Sequence, residues 1–424
     1  MAQFLNLLTG EEAWEVFTSH FKPVVLTERV PVVDAQDRVL AEPAVAPHEL
    51  PTFVRSTVDG YAVWAADTHG ASGGMPAYLD VVAEAPMGQR VLFRLSPGQA
   101  ALVHTGGMVP DGADAVVMIE QTHRAGAPMF GGKSLQPGFE AHAIEVYKPV
   151  ASGDNCIFQG EDVREGEVVL EAGYTLRPQD IGGLLAVGIT EVVVARQPRV
   201  GIVSQGDEVV PPDQEPGPGQ VRDVNSYTLA GFVRKAGGVP LNYPIAPDTE
   251  DGLDAVIGAA FAESDMVVIT AGSSVSYRDL TAGAIHRLGS PGVLVHGVAI
   301  RPGKPTILAL CAGKPVFGLP GNPVSCINIF KVFAIPTIRM MLGARPPRQH
   351  IIRARLARNI PAGSGRADFV RVRLEERDGE LWAVPVFGKS NLIFTLIRSE
   401  GTVEVALNSN GIPAGDVVSV VMDS

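Results

Sequence analysis

Between residues 199 and 342 short apolar runs alternate with amphipathic runs, and few folds tolerate that pattern. Val200-Gly201-Ile202-Val203-Ser204 reads as a buried strand. A helix is expected at 225–236, ended by Gly237-Gly238, then a strand at 239–243 and a helix at 250–262. Met266-Val267-Val268-Ile269-Thr270 is another apolar strand, with a short helix at 281–288 and strands at 293–300 and 306–310. The run 314–317 reads as a buried strand. It enters the turn Gly318-Leu319-Pro320-Gly321-Asn322-Pro323-Val324-Ser325, which opens a helix at 324–342. Strand and helix in alternation mark a doubly wound parallel α/β sheet, whose ligands sit at the carboxyl ends of the strands.

The rest of the chain is different. Thr9-Gly10-Glu11-Glu12 has the capping-box pattern and starts a helix that ends before Pro23. Residues 58–148 are β-rich, with strands expected at 60–64, 78–83, 91–95 and 115–120 between glycine-rich turns. A second short unit at 161–195 holds a helix that starts at Pro178 and stops at Gly188. Gly343-Ala344-Arg345-Pro346-Pro347 is a linker, and the tail alternates in short β segments that fit a small β-barrel or sandwich.

With 424 residues, 46% of them hydrophobic, the chain holds two to four domains with sizeable cores. A net charge of −12 argues against a duplex nucleic acid or an anionic membrane as partner. Three cysteines without close spacing argue for a reducing compartment, so the cytoplasm is expected. No apolar run is expected to span a bilayer.

The residues just past each strand of the alternating region carry the chemistry. Gln205-Gly206-Asp207-Glu208, Asp248, Ala271-Gly272-Ser273-Ser274 through Asp279, Arg301-Pro302-Gly303-Lys304-Pro305 and the Gly318–Ser325 turn would share one sheet edge. Glycine and serine let backbone N–H groups approach anionic oxygens, and Asn322 with Pro323 opens a helix toward the same point. Carboxylates can hold Mg²⁺ while Lys304 and Arg301 meet the remaining negative charge. Taken singly, Asp207-Glu208 is a solvated turn, Gly272-Ser273-Ser274 a flexible turn and Lys304 a surface charge. Their joint placement makes a site. Arg55-Ser56-Thr57-Val58-Asp59-Gly60 and the run 104–117 read by composition as β-turns. Gly365-Arg366 and Gly388-Lys389-Ser390 put cations beside glycines in the tail.

Together these strings resemble the molybdopterin molybdenumtransferase family, bacterial MoeA and the E-domain of gephyrin-type proteins. The most specific are Ser56-Thr57-Val58-Asp59-Gly60-Tyr61-Ala62, Thr105-Gly106-Gly107-Met108-Val109-Pro110-Asp111-Gly112-Ala113-Asp114, Gly160-Glu161-Asp162, Gly206-Asp207-Glu208, Pro302-Gly303-Lys304-Pro305 and the Gly318–Ser325 turn. The resemblance implies an elongated homodimer of four-domain chains. Residues 1–50 and 147–189 would form a split N-terminal domain for linkage and dimerisation, and 51–146 a β-rich insert. Residues 190–342 would form a doubly wound MogA-like domain, and 343–424 a small C-terminal β domain.

It further implies that molybdenum from molybdate enters adenylylated molybdopterin with release of AMP and a need for Mg²⁺. A molybdopterin adenylyltransferase is the implied donor of that substrate. Carried over, Asp59, Glu208, Asp248 and Lys304 would be catalytic, and Asp162 matches another functional acid. Glu208, Asp248 and Asp279 would serve the metal. Thr105, Gly272, Ser273, Ser274, Arg301, Gly321, Asn322, Arg366 and Ser390 would bind substrate, with Asp59 and Thr105 reaching in from the partner subunit. The chain departs from the family pattern at Ser273–Tyr277, at Arg301, where lysine is usual, and at Val54. Two alternatives stand beside the transferase: a catalytically diverged relative acting as a binding scaffold, and a nucleotide or pyrophosphate hydrolase on the same fold.

Overall fold

The structure, a computed structural model, describes residues 7–271, 275–347, 349–363 and 365–423, with the backbone alone at 275–279. Its centre is a six-stranded sheet in the order Val239–Asn242, Arg199–Ser204, Met266–Ala271, Lys314–Pro320, Ile307–Cys311 and Pro291–His296. The first four strands are parallel. The sequence suggested a wholly parallel sheet, but Ile307–Cys311 runs against both neighbours. The physical reason is a two-residue hairpin: Ala312 at φ 46° and Gly313 at φ 82° turn the chain straight back into Lys314. Five strands still send their carboxyl ends to one edge.

Helices cover both faces. Leu229 and Val233 of Asn225–Ala236 pack on Val200, Ile202 and Val268 on one face. Leu253 and Ile257 of Glu250–Glu263, with Ala284 and Ile285 of Val275–Arg287, pack on Val203, Val267 and Ile269 on the other. The strand expected at 293–300 is instead two pieces, because Gly297 at φ 99° breaks it.

The helix opened by Asn322 runs continuously as Pro323–Met341, 19 residues of mean hydropathy 1.4. By length and composition it could cross a membrane, contrary to the expectation that no run would. Here it is a core helix. Cys326, Ile329, Phe330, Phe333 and Ile338 are buried against the sheet. Its middle, Phe330–Ala334, is a π turn just ahead of Pro336. Proline has no N–H and its ring crowds the carbonyl four residues back, so a wider turn relieves the clash.

The β-rich insert is a second six-stranded sheet, ordered Ala115–Met118, Gly60–Val63, Gln99–Val103, Ala77–Glu84, His142–Val146 and Thr122–Gly126. Successive residues point to opposite faces. Val63, Leu79 and Val117 enter one core, while Ala62, Val82 and Val116 enter another. Residues 91–95 are not a strand, although Val91 and Leu95 are buried.

In the tail, Ile351–Leu356, Ala367–Arg377, Glu380–Pro385, Gly401–Val405 and Val417–Met422 close into a five-stranded barrel. Closure follows from the length of Ala367–Arg377, which pairs with Gly401–Val405 along its first half and with Glu380–Pro385 along its second. Its first two residues also pair in parallel with Ile300–Arg301, so the barrel is stitched to the central body.

The Thr9–Glu12 capping box forms as expected and starts the helix Gly10–His20. That helix packs into the central core, with Phe17 5.1 Å from Phe317 edge to face. The split N-terminal body has its own core of Val32, Leu40, Leu176, Leu184 and Val194.

Candidate functional site

Loops from separate strands leave the carboxyl edge of the central sheet. Gln205 leaves strand Arg199–Ser204 almost wholly buried, with its backbone N–H on the Thr270 carbonyl at 2.9 Å. Its side chain joins two neighbours: Nε2 donates to Asp248 Oδ1 at 3.1 Å, and Oε1 accepts from Thr281 Oγ1 at 2.9 Å. Asp207 and Asp248 then exchange backbone-to-carboxylate bonds, each 3.1 Å. Both acids keep free lone pairs and stay held in place.

Gly206 has φ 145°, and a Cβ there would stand 2.6 Å from Glu208 Oε2. Only glycine lets the Glu208 carboxylate fold back over this turn. Beside it lies a cavity of about 520 Å³ lined in part by Asp207, Asp223, Ser226 and Tyr227.

Lys304 arrives from the other side of the edge. Its carbonyl accepts N–H bonds from Val298 at 3.0 Å and Thr306 at 2.9 Å. Asn328 Nδ2 holds the Pro302 carbonyl at 2.9 Å, and the Thr306 hydroxyl holds that of Gly303 at 2.6 Å. A side chain at Gly303 would strike Ile329 at 2.4 Å, so the loop lies flat on the long helix. The Lys304 ammonium is exposed and has no partner among the described residues.

Arg301 is engaged. Its guanidinium pairs with Asp368 of the barrel, a carboxylate only 3% exposed. Asp368 Oδ1 is buried without a partner among the described residues. Arg366 is half-buried on the same barrel strand's approach.

The Asn322 turn differs from its expected form. Asn322 occupies the cap position, yet its side chain makes no capping bond. Pro323 has no N–H, and the Val324 N–H is taken by the Ser390 carbonyl at 3.0 Å. The barrel thus uses much of the donor set that an anion would need there. The Gly321 carbonyl accepts from Asn225 Nδ2 at 2.8 Å, leaving Asn225 Oδ1 buried and unpaired among the described residues.

A second cluster sits on the insert. Asp59 Oδ1 accepts from the Thr105 N–H at 2.8 Å and from its hydroxyl at 3.3 Å. The two strings carrying them are laced together by Ser56 N–H to Gly107 O at 2.9 Å and Gly106 N–H to Ser56 O at 2.8 Å. His104 stands beside them, 3.8 Å from Asp59 and 3.0 Å from Glu84. A side chain at Gly60 would meet the Val117 carbonyl at 2.0 Å, so the residue after Asp59 must be glycine. Asp114, in the same string, is structural and holds the Ala65 N–H at 2.7 Å.

Asp162 is exposed on a turn of the split N-terminal body. Gly272, Ser273 and Ser274, and the side chain of Asp279, lie outside the described residues. Among the described residues no three metal-type side chains converge. Sequence reasoning gave no role to Gln205, Asp368, Asn225, Glu84 or His104. A polar residue directly after the strand-like run Val200–Ser204 was the available signal for Gln205. Glu84 carries none, because its partner is distant in sequence.

Burial disfavours the thiolate form of all three cysteines. Burial pushes the Cys156 and Cys311 thiols up to about 11. Burial also raises Cys326, helped by the Asp223 charge.

The fold defines a multidomain α/β protein with a loop-lined sheet edge and a β-barrel tail, and comparison with known proteins narrows this. Family models match in series: "MoeA N-terminal region (domain I and II)" over 8–188, "Probable molybdopterin binding domain" over 201–340 and "MoeA C-terminal region (domain IV)" over 353–422. The chain belongs to the MoeA family. A molybdopterin molybdenumtransferase of Bacillus subtilis is 32% identical over 404 residues, 95% of this chain and 91% of the relative. A second such protein, from Mycobacterium tuberculosis, is 33% identical over 354 residues, 82% of this chain and 84% of its own. A crystal structure of a MoeA protein from Pyrococcus horikoshii superimposes with a TM-score of 0.82 at 36% identity, covering 98% of this chain and 99% of that one.

Proposed function

We propose that the chain is a molybdopterin molybdenumtransferase of molybdenum cofactor biosynthesis. It would insert molybdenum from molybdate into adenylylated molybdopterin and release AMP. The observation that carries this reading is the Lys304 ammonium, without a partner among the described residues, on a loop pinned flat, at the same edge as Glu208 and the locked Asp207–Asp248 pair. A cation on a pinned loop, with no acid paired to it among the described residues, is suited to an oxyanion. Arg301, Gly321, Asn322, Arg366 and Ser390 are assigned to the wall of this site, and Gly272, Ser273 and Ser274 are assigned to substrate binding.

The donor set suits Mg²⁺. That ion is commonly held by one or two carboxylates together with substrate phosphates, and Glu208 and Asp248 with Asp279 would supply them. Bound there, it would neutralise phosphate charge during anhydride cleavage. Gln205 keeps Asp248 aimed, and Lys304 offsets charge that builds on the departing oxygen. In hydrolysis of the anhydride a water oxygen bonds to the pterin-side phosphorus, the bridging P–O bond breaks, AMP leaves with that electron pair and the proton of the water passes to solvent.

Asp59 and Thr105, exposed on the insert, are assigned to a cleft completed by a second copy of the chain. A molybdopterin adenylyltransferase is the proposed donor of the substrate. The unpaired cysteines support a reducing, cytoplasmic location.

The test is incubation with adenylylated molybdopterin, molybdate and Mg²⁺ while AMP release is followed, with a non-pterin dinucleotide beside it. Turnover specific to the pterin is expected. Glu208→Gln should lower it by about 10²-fold with an unchanged unfolding midpoint. Lys304→Ala should weaken molybdate binding and flatten its salt dependence. Equal cleavage of the non-pterin dinucleotide would favour a hydrolase. Tight binding without turnover would favour a scaffold.

A further inference from the structure

At the amino edge of the central sheet, opposite the cleft, helix Asn225–Ala236 ends with Arg234 and Lys235 in its last turn. The long helix ends nearby, with Arg339 in its last turn. Residues 36–39 and Thr175 of the split N-terminal body close over them and enclose a cavity of about 290 Å³. Its ionisable lining is Arg38, Arg234, Lys235 and Arg339 against one acid, Asp37. On a chain of net charge −12, this is a local excess of the opposite sign.

Cations in a last helical turn offset the carbonyl end of the dipole. That accounts for Arg234 and Lys235, which are exposed. It does not account for Arg38, which lies on no helix, and Arg339, also in a last turn, is packed deeper than the exposed pair. Arg38 pairs with Glu28 and donates Nη2 to the Ala195 carbonyl at 2.9 Å, but its Nε–H is buried without a partner among the described residues. Arg339 has one carbonyl partner, Arg345 O at 2.9 Å, and no carboxylate among the described residues. Its Nε–H is buried and unpaired as well. Burial pushes the Arg339 guanidinium below its ordinary range, the mark of a charge without compensation. Those Nε–H groups lie behind the cavity wall, so a ligand would meet the excess of cations that lines it, and guanidinium forks match tetrahedral oxyanions.

We propose that this cavity binds a small, multiply charged phosphate-type oxyanion that bridges the split N-terminal body and the central α/β body. The cavity is at the low end for drug-sized ligands, so a pterin dinucleotide is excluded by size. The ligand touches both bodies, so binding stabilises their junction and raises the unfolding midpoint as its concentration rises. The site is independent of the carboxyl-edge cleft and of the reaction assigned there.

Equilibrium dialysis of the full chain against labelled inorganic phosphate at constant ionic strength, paired with thermal unfolding, tests this. Lys304→Ala should keep a saturable phosphate site and the midpoint rise. Arg234→Ala combined with Lys235→Ala should weaken it by about tenfold, and Arg339→Gln should abolish both signals. The exposed pair can be removed without disturbing the core, so the result stands even where Arg339→Gln does not fold. Phosphate affinity unchanged in the double variant, or lost entirely in Lys304→Ala, would overturn the inference. A parallel arm with AMP separates sources. Tighter binding than phosphate assigns a phosphate monoester, and weaker binding assigns the free oxyanion.

Discussion

At the carboxyl edge of the central sheet Asp207 and Asp248 are locked by neighbours, and the Lys304 ammonium has no partner among the described residues. At the amino edge the cations outnumber the acids, and two buried guanidinium N–H groups have no partner among the described residues. Both edges end the same strands and helices, yet different bodies dock on them. The barrel reaches the carboxyl edge through the Ile300–Arg301 ladder and the Ser390 carbonyl. The split N-terminal body covers the amino edge with residues 36–39 and Thr175. The comparison teaches that hydrogen-bonded acids give a rigid frame around one usable charge, whereas unmatched cations leave a demand for a counter-ion.

Three substitutions sharpen the contrast. The largest effect is expected from Arg301→Ala. It strips the partner from Asp368, a buried carboxylate whose other oxygen is already unpaired among the described residues. Unfolding in urea should show a loss of about 3 kcal/mol, the low end for a buried pair because Arg301 is half exposed, and the barrel should become more open to protease. Unchanged stability would mean that Asp368 does not depend on this pair.

Gln205→Ala comes next. It removes the amide that links Asp248 to Thr281 inside the edge, at a cost of about 1–3 kcal/mol. Turnover should fall further than in a surface control, because Asp248 loses its aim. Full turnover would detach the frame from the chemistry.

The smallest is Asp423→Asn, at the outer seam where barrel and long helix meet. Asp423 accepts from Arg371 and pairs with Lys331. Burial pushes its carboxyl up, but those bonds outweigh it and hold the group below its usual range. A lowered folded pKa means that the stabilisation is present above the unfolded value of about 3.9 and is lost as pH falls through the folded one. The variant should lose about 1–2 kcal/mol at pH 7 and converge with the parent in acid. A constant gap down to the lowest pH would refute the charge pairing.

Much of this was legible in the chain itself. The apolar strands at 200–204 and 266–270, the helix stop at Gly237 and the capping box at Thr9 are local signals, and each formed as read. The β-rich insert and tail were legible as classes. The strand Gln99–Val103 was not, because Gln99-Ala100-Ala101-Leu102-Val103 lacks a clear alternation and is a strand only through its two neighbours. The meeting of Asp59 with Thr105 was read from resemblance, since composition alone gave two ordinary turns.

The order of residues fixed where strands, helices and tight turns could lie, because periodicity, caps and glycine conformations act over a few positions. It also set which loops carried acids, lysine and small residues. The pairings Gln205–Asp248, Arg301–Asp368 and Val324–Ser390 join residues 43, 67 and 66 positions apart, and only the folded chain chose them. Local sequence sets what a segment prefers. Which polar group is satisfied and which is left free depends on which distant backbone is packed beside it.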